Sequence, residues 1–175
     1  DVYKRQVPDR LRVLRAKAVV AFTVVTATAL VTVFSAWALT TPIYAQFGLA
    51  APLTAPGVVL ALLSSAGYLG LCALFGVGIG ALVRSTTAGA IIVFLATLLL
   101  PVLTSLLPYG LLSRALRIAQ LGNAGDAMSR VGAEGGPFLD LWSGHISVGA
   151  GWLIASLWAA IALAAGAIAL RKRDV

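Results

Sequence analysis

Acidic side chains are nearly missing from this chain: six Asp and Glu stand among 175 residues, and all charged residues together make up 11%. Soluble globular domains carry about a quarter charged residues, so an ordinary water-solvated surface is excluded. Cys72 is the one cysteine and sits inside an apolar run. No intrachain disulfide can form from it, and a thiolate metal cluster or redox motif has nothing to build on. His145 is likewise the only histidine. A general base needs a partner and a pocket; Asp140 and Ser143 are close in sequence, but no spacing predicts convergence, so His145 reads as a residue of the membrane surface. From Ala18 to Ser113 the only charged residue is Arg84.

Apolar residues fill the space that charge leaves. They make up 60% of the chain, and the mean hydropathy is +0.98. Four runs lack Asp, Glu, Lys, Arg and His: Ala18 to Leu39, Gly57 to Val83, Ser85 to Leu107, and Ile146 to Leu170. Each exceeds the roughly 20 residues that cross a 30 Å hydrocarbon core as a helix. Backbone polar groups in lipid must be satisfied within the segment, so helix is the expected conformation. The fold class read from the sequence is therefore all-α, a polytopic transmembrane helical bundle with four spans. A signal peptide competes for the first run, but its apolar core is usually about 7–15 residues and this run is about 22.

The second and third runs cannot be one helix, which would measure about 75 Å. Arg84-Ser85-Thr86-Thr87 is the expected reversal, with Arg84 in water and a hydroxyl capping the next helix. Residues 1–17 form a basic segment ahead of a transmembrane domain over 18–175. The region from 108 to 145 is the longest connection. Leu111, Leu112, Ala115, Leu116, Ile118, Ala119 and Leu121 recur at helical spacing, with Arg114 and Arg117 opposite and Gly122-Asn123 as the expected stop. Too short to span, this segment is expected to be interfacial or re-entrant. Gly132 to Pro137 reads as loop. Pro101 and Pro108 each remove a backbone donor, so the third span should kink or stop there, either as a plain terminus or as the entrance to a re-entrant segment.

The net charge of +7 suggests nucleic acid until its placement is considered. Lys4, Arg5, Arg10, Arg12, Arg15, Lys17, Arg84, Arg171, Lys172 and Arg173 fall on one side of a four-span map; Arg114, Arg117 and Arg130 fall on the other, beside Asp126, Glu134 and Asp140. Ten against three places both ends in the cytoplasm by the positive-inside rule, and no nucleic-acid partner is expected. Trp37, Tyr44, Tyr109 and Trp142 fall near the expected outer boundary, where amphipathic rings settle.

Gly76-Val77-Gly78-Ile79-Gly80 looks like a phosphate loop only on paper, because it lies inside a span with neither strand before it nor watery helix start after it. The better reading is helix packing. Gly76 and Gly80 share a face, Gly67 and Gly70 continue a small-residue surface, and Ala155, Ala159, Ala162 and Gly166 form a similar seam on the fourth span; whether these seams face this chain or a second subunit stays open. Asp126, Glu134 and Asp140 have no spacing suited to metal or paired acid–base work, so no catalytic, cofactor or metal residue is expected. Ion-coupled transporters keep ionisable groups at mid-membrane, whereas only Ser, Thr, Tyr68 and Cys72 reach such depth here. Energy for any uphill transport would enter from outside the membrane domain.

Three stretches resemble the ABC-2 type permease family. Val7-Pro8-Asp9-Arg10-Leu11-Arg12-Val13-Leu14-Arg15-Ala16-Lys17 is similar to the basic segment before that family's third span. Gly76 to Pro101, with Arg84-Ser85-Thr86-Thr87-Ala88-Gly89-Ala90-Ile91, is similar to its fourth-to-fifth-span turn. Leu141-Trp142-Ser143-Gly144 through Ala169-Leu170-Arg171-Lys172-Arg173-Asp174-Val175 is similar to its last span and charged tail. The resemblance implies the last four of six spans, a re-entrant pair at Pro108 to Asn123, and a second permease subunit, identical or related. It implies a cytoplasmic ATPase that binds the ATP, with Arg10, Arg12 and Arg15 as contacts. Positive-inside anchoring alone is the plainer reading of those arginines, and a non-transport membrane anchor or assembly protein is the alternative function. The outer region holds more glycine than the family leads one to expect, and no substrate-contact pattern is recognisable.

Overall fold

A computed structural model describes residues 10–108, 110–132 and 136–172, with the side chain of Thr86 outside that description. Expectations that fall on residues 1–9, Tyr109, Glu134, Gly135 and Arg173 therefore lie outside the described residues. Among those described, four helical stretches are long and apolar enough to cross a membrane. This is a multi-pass, all-α membrane protein.

The first helix, α1 (Arg10–Ala45), is 36 residues long. The expected boundary near residue 17 is not a break. Arg10 to Lys17 is a run of good helix formers apart from Val13, so the basic segment continues the span as one rod. At its far end the helix passes Pro42 and stops at Ala45, which shortens the expected outer loop. Thr40 and Thr41 hydroxyls turn back onto the carbonyls of Ala36 and Trp37 there, and the Trp37 indole donates to Ala51 O at 3.0 Å.

Helix α2 (Val58–Val83) returns and stands at the centre, packed most extensively on the last long helix and on α1. It ends at Arg84, which adopts φ 58 and is the only non-glycine residue with positive φ among the described residues; its N–H closes on Gly80 O at 2.9 Å. Ser85 is the cap of the next helix, its Oγ accepting from Ala88 N at 3.2 Å. The reversal falls where the lone charge and the hydroxyls put it.

The third crossing is made of α3 (Thr86–Phe94), a π-turn (Leu95–Leu99) and α4 (Leu100–Ser105). Pro101 does not stop it. The π-turn, in which Leu100 N bonds Leu95 O, shifts the hydrogen-bond register just before the proline. Thr104 and Ser105 hydroxyls then bond to Pro101 O and Val102 O, and the helix runs to Ser105.

The connection before the last span holds two helices, α5 (Leu111–Ile118) and α6 (Leu121–Ser129), and a two-residue hairpin, β1 (Leu139–Asp140) with β2 (His145–Ile146). Gly122 and Asn123 do not end the helical pattern as expected; the break falls at Ala119-Gln120, and both residues belong to α6. The leucine face of α5 is also not its buried one. Leu111 and Leu112 are 66% and 73% exposed, while Ser113 and Ile118 are the buried residues of α5. Ser147 caps α7 (Val148–Lys172) through Ala150 N at 3.1 Å, and α7 runs back to the basic end.

Packing follows side-chain size. A Cβ on Gly78 would strike the backbone of Ala162, and one on Gly166 would lie 2.7 Å from Gly78 O. The α2–α7 seam is therefore built from Gly78 with Ala162 and Gly166. Gly76 and Gly80 lie outside it: a Cβ on either would meet nothing beyond its own helix, and both face a groove toward α3. Gly67 sits under the Trp152 indole and Gly70 against Thr26 and Phe22 of α1. Where lipid is as apolar as leucine, such close backbone approach replaces the hydrophobic effect as the packing force.

Candidate functional site

Two places in the bundle gather polar groups. The first is the tip of the α5–α6 pair. Leu121, Ala124, Ala127 and Met128 of α6 are at most 2% exposed, wedged between α2 and α7. Three small residues make room: Gly125 lies on the Tyr68 ring, Gly151 of α7 lies against Ala124 O, and Gly122 faces Thr97 O. The indole of Trp158 donates to Ala119 O at 2.7 Å and stands edge-on to Phe75, with centroids 5.8 Å apart. Trp158 lies about ten residues, roughly 15 Å, inside the start of α7, so the pair dips about halfway into the bundle and returns.

Polar side chains satisfy the backbone freed at this tip. Gln120, 2% exposed, donates through Nε2 to Thr104 Oγ1. Asn123 Nδ2 donates to Arg117 O. Arg117 donates to the carbonyl oxygens of Thr104 and Ser105, at 3.2–3.3 Å, drawing its guanidinium toward the C-terminal end of α4. Arg114 instead lies over the Trp142 ring, 5.5 Å from its centroid. Gln120 Oε1 is buried without a partner. The sequence reading missed Gln120, Thr104 and Asn123. The only signal was amide-bearing residues beside an apolar run.

Asp140, Ser143 and His145 do come together, as a turn and not as a catalytic relay. Ser143 Oγ donates to Asp140 Oδ2 at 2.7 Å, and Trp142 N donates to Oδ1 at 2.8 Å. His145 gives its backbone N–H to Ser143 Oγ at 3.3 Å, while its Nε2 points toward Gly136. The Ser143 hydroxyl, followed by the Trp142 N–H, holds the partly exposed Asp140 carboxyl below the usual carboxylate range. No cluster of metal-ligating side chains forms among the described residues.

The second place is a cavity of about 680 Å³ at the end where α1 begins and α2 and α7 end. Arg10, Val13, Leu14 and Lys17 recur at the spacing of one helix face and form one wall; Arg84 closes the opposite side. Among the described residues no acidic side chain lines it. Of the three arginines singled out in the sequence, only Arg10 enters this cavity; Arg12 and Arg15 are exposed on other faces of α1.

Comparison with known proteins finds no matching family model, no matching curated protein and no matching solved structure.

Proposed function

We propose that this chain is a transmembrane permease subunit of an ATP-driven exporter of the ABC-2 type, forming the substrate path and coupled to a separate cytoplasmic ATPase. The observation that supports it most is the helix pair α5–α6 tucked into the bundle ahead of the last span, where the resemblance calls for a re-entrant element. The chemistry of the spans agrees. Among the described residues their interiors carry no ionisable acid or base of the sort that binds a coupling ion, so an external energy source is the simpler arrangement. Seven described cations, Arg10, Arg12, Arg15, Lys17, Arg84, Arg171 and Lys172, gather at one end of the bundle. Assigned to the cytoplasm by their charge, they put both described ends beside the ATPase, with Arg10, Arg12 and Arg15 at the start of a rigid α1 that transmits its movement. A second permease subunit, identical or related, completes the path.

The test is affinity purification of the complete membrane protein from its native host. An ATP-binding subunit should co-purify, and replacing Arg10, Arg12 and Arg15 together with Gln should lower its recovery. Recovery of the intact protein with no ATPase would favour a non-transport membrane anchor or assembly protein instead.

A further inference from the structure

The geometry points to the cavity between the start of α1, the end of α2 and the end of α7 as a binding site for an anionic glycerophospholipid. Lys17 and Arg84 supply the charge the rim offers a ligand, with Arg10 also in the lining. Arg10 and Lys17 are two turns apart on one face of α1. Arg84 is held in the left-handed conformation by its bond to Gly80 O, which fixes its Cα at the rim. Below the rim the walls are apolar. Leu170 faces the space and Val77 lies about 10 Å below Arg84 along α2, while Val13 and Leu14 lie between Arg10 and Lys17 on α1. The cavity meets a second groove of about 470 Å³ at Gly80, which runs past Gly89 toward Val93 and Phe94 on α3.

An anion at the rim with a hydrocarbon tail below is the occupant this shape selects. A free phosphate would leave the apolar walls uncovered, and a zwitterionic lipid would bring its own cation to a rim that already carries Lys17 and Arg84. The height also fits. Arg84 and the last turn of α7, with Arg171 and Lys172, mark where the apolar helices end, which is where lipid phosphates lie in a bilayer. Gly76 and Gly80 gain a role from this. With no neighbour to meet a Cβ, they keep the groove wide enough for an acyl chain. The inference does not depend on the exporter reading.

Titration of the purified chain in detergent with dioleoyl phosphatidylglycerol and, separately, dioleoyl phosphatidylcholine, read by native mass spectrometry, tests this. Each cation near an anionic headgroup contributes roughly fivefold in affinity. Phosphatidylglycerol should therefore be retained at least about tenfold better than phosphatidylcholine. Lys17→Gln and Arg84→Asn, the latter tolerating positive φ, should each reduce that preference roughly fivefold. Lys17→Arg should preserve it, and Arg130→Gln at the opposite end should not alter it. Equal retention of the two lipids by the unaltered chain would overturn the assignment. So would a preference that survives both Lys17→Gln and Arg84→Asn, or displacement of phosphatidylglycerol by millimolar inorganic phosphate alone.

Discussion

Trp158, midway along the last span, donates its indole N–H to the carbonyl of Ala119 at 2.7 Å. One hydrogen bond thus joins the deepest point of the re-entrant pair to the centre of α7, and the same ring packs edge-on against Phe75 of α2. Trp158→Phe keeps an aromatic ring beside Phe75 but removes the N–H donor along with part of the ring system, leaving the carbonyl at the end of α5 unpaired in an apolar setting. The expected cost is about 1–2 kcal/mol, read as a lower midpoint in reversible unfolding in mixed micelles. An unchanged midpoint would mean that the pair is held without this bond.

Gly78 and Gly76 lie two residues apart and should behave oppositely. Gly78→Ala drives a methyl into the backbone of Ala162 and should destabilise the bundle by about 1–3 kcal/mol. Gly76→Ala meets open space and should be neutral or slightly stabilising, since alanine is the better helix former. Thermal denaturation of the two variants side by side separates the cases.

The Gln120–Thr104 pair predicts non-additivity. Thr104→Val strands the buried Gln120 amide and should cost about 1–3 kcal/mol, because an unmade buried hydrogen bond is worse than an absent one. Adding Gln120→Met should recover most of that loss, which a double-mutant cycle measures directly.

Asp140 gives a pH dependence of known sign. Its carboxyl is held below the ordinary range by the Ser143 hydroxyl and the Trp142 N–H. A depressed folded-state value means that the hairpin is stabilised above the unfolded carboxylate pKa and loses that support as pH falls through the folded one. The acid transition of Trp142 fluorescence, with Trp37, Trp152 and Trp158 replaced by Phe, should therefore move to higher pH in Ser143→Ala.

The spans were legible because hydropathy and the cost of unpaired backbone in lipid leave one solution. Arg84 and Ser85 marked the reversal for the same reason: one needs water and the other can cap. Periodicity was less informative at α5, where it identified a helix but did not say which face turns inward. In a membrane the leucines of Leu111, Leu112 and Leu116 have an apolar solvent available outside the bundle, so an apolar stripe no longer points inward. The choice of Gly78 over Gly76 and Gly80 as the seam was hidden too. Glycines spaced by four share a face with one another, but which face meets α7 is fixed by the far end of the chain. Gln120 and Thr104 stand 16 residues apart and meet only because Pro101 lets the third crossing continue and the α5–α6 pair turns back at Ala119-Gln120.

Substituted-cysteine labelling in intact cells, on a Cys72→Ser background, tests the membrane map most directly. Gln46→Cys, beyond the end of α1, and Ser143→Cys, in the hairpin, should both react with a membrane-impermeant maleimide added outside. Ser85→Cys, at the α2–α3 turn, should react only after the cells are opened. Labelling of Ser85→Cys from outside together with Gln46→Cys would contradict the four-span arrangement and the placement of its basic end in the cytoplasm.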